Sequence, residues 1–120
     1  FIDVRDIAEV AATILTEQGH ENKIYNLTGG ESLGYNEVAS LLSDALGREI
    51  HYQPIPIQQY IQRKVAAGLS NKAAHTAGQY FEMLQAGKFA SVSPVVRQIL
   101  NRNATPLKQF IVDHYNEFKI

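Results

Sequence analysis

A mixed, helix-rich α/β fold is what this sequence predicts, and three observations carry that reading. The chain opens on an apolar run, Phe1-Ile2-Asp3-Val4, that leads straight into a helical pattern. Two further short stretches, Lys23 to Thr28 and Arg48 to Gln53, read as strands bounded by glycine or proline. Most of what remains repeats its apolar residues at the helical spacing. The count is two or three short strands and five helices.

Taken in order, the opening run Phe1 to Ala8 begins as a strand. A strand needs a neighbour for its backbone groups, so the chain is expected to be the carboxy-terminal piece of a larger protein. Ile7, Val10, Ala11, Ile14 and Leu15 then form one helical stripe,. Asp3 or Asp6 can cap its amino end, and Gly19 can end it. Lys23 to Thr28 reads as a strand closed by Gly29-Gly30. A second helix, Gly34 to Leu46, carries Tyr35, Val38, Ala39, Leu42 and Leu46 on one face and stops at Gly47. Arg48 to Gln53 puts Ile50 and Tyr52 on one side, and Pro54 and Pro56 end it because proline cannot donate to a ladder.

The remainder reads as helical. Ile57 to Ala67 stops at Gly68, and Asn71 to Ala86 can take Ser70 as its cap and has the loop Gly87 to Val92 after it. Ser93-Pro94 and Thr105-Pro106 each place a hydroxyl at N-cap and a proline at N1.

Composition excludes several classes. Eleven basic and twelve acidic residues give a net charge of −1 with no like-charge run, so a nucleic-acid partner is not expected. No apolar run approaches the ~20 residues that span a bilayer. Zero Cys removes disulfides and thiolate metal sites, which fits a cytoplasmic protein. His20, His51, His75 and His114 are scattered without ligand spacing, so no metal site is expected.

Two motifs mimic active-site signatures. Gly29-Gly30-Glu31-Ser32-Leu33-Gly34 lies between a strand and a helix, as a phosphate loop would, but its glycine spacing fits neither known pattern. Glu31 would also repel a phosphate. Tyr60-Ile61-Gln62-Arg63-Lys64 has the Tyr-x-x-x-Lys spacing that puts both side chains on one helix face,.

Four segments together resemble the carboxy-terminal portion of NmrA-like proteins, the atypical short-chain dehydrogenase/reductases that include NAD(P)H-dependent quinone and azo-dye reductases. They are Phe1 to Ala8, Tyr25 to Gly29, Glu37-Val38-Ala39 through Leu46-Gly47-Arg48, and Thr105 to Phe118. Gly34 stands where that family often has Ser or Thr, and Asn101-Arg102 stands where it often has Gly-Arg.

The resemblance implies a truncated Rossmann-type fold, with residues 1–28 as the tail of the NAD(P)-binding part and residues 29–120 as the substrate lobe. It implies an oxidoreductase acting on quinone-like or similar small acceptors, with NAD(P)H as cofactor of the intact parent and none expected for this fragment. The family's Tyr-x-x-x-Lys pair precedes the segment like Phe1 to Ala8, whereas Tyr60 and Lys64 follow it, so no catalytic or cofactor-binding residue is assigned. Substrate-cleft candidates are Tyr60, Tyr80, Phe81, Met83 and Phe89. Alternatives are a non-catalytic NAD(P) sensor and the lobe of a nucleotide-sugar epimerase or dehydratase. Expected partners are a small-molecule substrate, the missing amino-terminal half and a second copy in a homo-oligomer built on Phe1 to Leu15 or Lys23 to Thr28.

Overall fold

The computed structural model describes residues Phe1 to Lys119. Seven helices form among them: α1 (Val4–Thr16), α2 (Tyr35–Leu46), α3 (Ile57–Ala66), α4 (Asn71–Gln85), α5 (Val95–Leu100), α6 (Leu107–Asp113) and α7 (Tyr115–Phe118). The chain packs as two units, one made of residues 1–52 with 91–120 and the other of residues 53–90.

None of the three predicted strands forms among the described residues. At the amino end the helix starts at Val4, because the Asp3 carboxylate accepts the N–H of Arg5 at 2.8 Å and caps it there,. In the other two segments side chain to backbone bonds take the place of a ladder. The Ile50 N–H donates to Ser43 Oγ at 2.9 Å, and the Ser93 N–H donates to Thr28 Oγ1 at 2.8 Å. A strand is defined by its neighbour, and no second strand lies beside either segment.

In the larger unit α1 packs on α5, and α2 packs on α6 and α7. Val10, Ala39, Val96 and Ile111 make its buried apolar centre. Only one side of the α1 stripe is used. Val10 is 1% exposed, while Ile7 is 39% and Leu15 83% exposed. Gly47 takes the left-handed conformation that ends α2,. Asn101 takes it after α5, at φ 53°. Asparagine is the side chain that tolerates this region best after glycine, which explains how Asn101 replaces the expected glycine without losing the turn.

The two Ser/Thr-Pro starts differ from expectation. Pro94 and Pro106 are themselves the caps of α5 and α6. Ser93 Oγ does accept the N–H of Val95 at 3.2 Å, whereas the Thr105 hydroxyl is turned to α1, where it donates to Asp6.

The smaller unit is a helical hairpin. Ser70 Oγ accepts the N–H of Ala73, as expected of a cap. Ala74 and Gly78 are buried where α4 meets α3, and a β-carbon on Gly78 would lie 2.8 Å from Ile61 Cδ1. Small residues let these helices approach closely enough for Ile57 and Ile61 to fill the contact.

Candidate functional site

The larger unit encloses a cavity of about 570 Å³, within the range of small-molecule sites. Five stretches, distant in sequence, wall it: Phe1 to Asp3, the glycine turn Gly29 to Glu31 with Leu33, Val92 to Pro94 with Val96 and Arg97, Asn103 to Leu107, and Phe110 of α6. The walls meet because Gly29 lets them. Its missing β-carbon would sit 2.0 Å from the Phe1 carbonyl oxygen.

Apolar side chains dominate this lining, and the Asp3, Ser93 and Thr105 side chains are hydrogen-bonded within the protein. Arg5 holds the Asp3 carboxylate through Nε at 3.0 Å and Nη2 at 2.7 Å. That hydrogen bond keeps the Asp3 pKa below the usual carboxylate range, against the opposing effect of burial,. Arg5 Nη1 also reaches Asp113 at 2.8 Å, so the guanidinium ties the start of α1 to the end of α6. Arg97 lines the cavity and makes no ion pair among the described residues. What these walls offer chemically is a mostly apolar cavity that also carries the Arg97 cation and the Glu31 carboxylate.

The sequence-derived cleft candidates lie elsewhere, on the hairpin. Tyr60 and Phe81 meet edge to face at 4.8 Å, Phe81 and Tyr80 at 5.7 Å, and Tyr80 and Phe89 at 5.4 Å. The structure therefore brings four of the five into one aromatic row. Tyr80, Met83 and Phe89 are each about half exposed. None of the five walls the cavity of the larger unit. Lys64 Nζ lies over the Tyr60 ring, 5.5 Å from its centroid, as a cation–π contact.

No group of three or more His, Asp or Glu side chains suited to a metal ion occurs among the described residues. The glycine turn does not fit a pyrophosphate. Gly29 is packed against Phe1, and the Gly34 N–H at the start of α2 already donates to Glu37 Oε2 at 2.5 Å. The protein's own carboxylate fills the anion position that a phosphate would need.

Sequence reasoning missed the cavity walls because no local period marks them. Glycine-29 and the two proline-led helix starts were the available signals, and each was read only as a turn or a cap.

Comparison with known proteins finds that the chain is similar to part of several NAD(P)-linked reductases. The triphenylmethane reductase of Citrobacter sp., solved in complex with NADP(H), superposes with a TM-score of 0.81 at 29% identity, over 94% of this chain and 39% of that one. No protein-family model matches the chain.

Among curated proteins, the NAD(P)H azoreductase of Xenophilus azovorans is 34% identical over 98% of this chain and 41% of its own length. An NmrA-like family domain-containing oxidoreductase of Aspergillus flavus is 22% identical over 91% of the chain and 38% of its own. The chain is thus a homologue of the NmrA-like, NAD(P)H-dependent oxidoreductases, as its four segments indicated. It spans about 40% of the length of the curated relatives it matches. No helix of the described residues is long and apolar enough to cross a membrane.

Proposed function

We propose that this chain is the carboxy-terminal, substrate-side lobe of an NAD(P)H-dependent oxidoreductase that reduces flat, conjugated acceptors of the quinone or dye kind. One observation carries the reading: 98% of the chain aligns with 41% of an NAD(P)H azoreductase. Its apolar cavity supports it, since planar rings bind by area and shape with few polar groups. The relatives use NAD(P)H, and in such enzymes the cofactor supplies the hydride while the protein binds and orients the acceptor. Tyr60, Tyr80, Phe81, Met83 and Phe89 stay the hairpin's substrate-cleft candidates in this reading, and Tyr80→Ala is expected to raise the acceptor KM in steady-state kinetics of the full-length protein.

The test uses a full-length protein containing this chain. NADPH oxidation is followed at 340 nm with menadione and with an azo dye. Acceptor-dependent turnover is expected, and tight NADPH binding with no turnover on any acceptor would replace this reading by that of a sensor. The 120-residue chain alone is expected to bind no NADPH at micromolar concentration, because its glycine turn holds no pyrophosphate cradle. Calorimetry decides that point.

A further inference from the structure

The stretch Asn103 to Thr105 walls the cavity but has no secondary structure of its own, so something else must hold it in place. Asp6 does so. This carboxylate is completely buried and is committed at both oxygens. Oδ2 accepts the Thr105 N–H at 2.7 Å, and Oδ1 accepts the Thr105 hydroxyl at 2.9 Å. Arg102 Nη1 lies 3.0 Å from the same Oδ1 and donates to the Asn103 carbonyl at 3.1 Å. Arg102 also pairs with Glu9, one turn further along α1.

An aspartate needed only for the helix dipole acts from the surface, within the first turn. Complete burial carries a desolvation cost that a carboxylate offsets only through several well-placed hydrogen bonds. Here nearly all of them go to the one loop that walls the cavity. Both oxygens are occupied, which leaves Asp6 no part in proton transfer to a ligand.

We infer that Asp6 is a positioning residue for the acceptor site: through Thr105 and Arg102 it sets the Asn103–Thr105 wall against which a flat acceptor lies. The inference rests on the reading of the cavity as an acceptor site and adds the residue that shapes it.

The experiment uses the full-length protein, with menadione as probe and its dissociation constant read from tyrosine fluorescence, independently of turnover. Thr105→Val keeps the side-chain shape but removes the hydroxyl donor, and Thr105→Ser keeps the donor. Thr105→Val is expected to weaken menadione binding roughly tenfold, the scale of one lost hydrogen bond to a charged group, while NADPH affinity stays within about twofold. Thr105→Ser is expected to bind as wild type does.

If Thr105→Val does not fold, Arg102→Met removes the half-exposed arm of the same network and should weaken menadione binding with NADPH affinity unchanged. Wild-type menadione affinity in the folded Thr105→Val protein, or in Arg102→Met where that is the variant measured, overturns the inference. So does a Thr105→Ser protein that fails to rescue, or a wild type that binds no menadione. Menadione binding without any NADPH-dependent turnover would overturn the oxidoreductase reading alone.

Discussion

A β-carbon at Gly29 would lie 2.0 Å from the Phe1 carbonyl oxygen, a backbone atom that cannot swing aside as a side chain could. Gly29→Ala is therefore expected to destabilise the protein by about 1–3 kcal/mol, the range for forced overpacking, read as a lowered urea midpoint. The Arg5 fork makes a second prediction at this scale. Asp3 is held below its ordinary pKa by its hydrogen bonds to Arg5, and Asp113 by Gln109 first and Arg5 next. A depressed folded-state pKa means stability that is fully present above the unfolded value of ~3.9 and lost as pH falls through the lower folded value. Arg5→Met should lower the urea midpoint near neutrality and flatten the acid limb of its pH profile below the unfolded carboxylate value of ~3.9. An unchanged limb would show that Arg5 contributes no linkage.

Among the elements, helix ends were readable to within a residue or two at Gly47, Gly68 and Gly87, all of which have positive φ, whereas α1 stops at Thr16, short of the expected Gly19. Gly34 precedes α2 in extended backbone, at φ −83° and ψ 167°, which threonine also adopts. Gly34→Thr is expected to change stability by only a few tenths of a kcal/mol, and a loss above about 1 kcal/mol in thermal melts would refute that account. The α3–α4 contact is less tolerant. Gly78→Val would press a branched side chain into Ile61 and Ile57, and a loss of about 1–3 kcal/mol is expected. Hydrogen exchange should report it first in the amides of α3 and α4. The strands were misread for a related reason: alternation and β-propensity describe a segment, while a ladder needs a partner. Ser43 took that partner's place at Ile50.

At the scale of the molecule, Val4, Ile7 and Leu15 on α1, with Ile24, leave a large apolar area exposed in the larger unit, from 39% to 93% for each residue. Such a face invites a second chain, and each large side chain fully buried there is worth about 1.5–3 kcal/mol. The 120-residue chain is expected to self-associate, and Ile7→Lys with Leu15→Glu should return it to monomer. Light scattering across a concentration series checks both; a monomer at high concentration would mean this face needs no cover.

By itself the sequence determined most of the helices, the stops at Gly47, Gly68 and Gly87, the Ser70 cap and the likeness to NmrA-like oxidoreductases, because each depends on residues within a turn or two of one another or on a pattern carried along the chain; it left the first cap open between Asp3 and Asp6, and Asp3 took it. The structure alone decided which half of the α1 stripe is buried, and that Asp6 and Thr105 meet across 99 positions. It also brought Phe1, Gly29, Arg97 and Phe110 around one cavity of the larger unit. Burial and hydrogen-bond pairing are properties of what lies opposite, and no local period encodes what lies opposite.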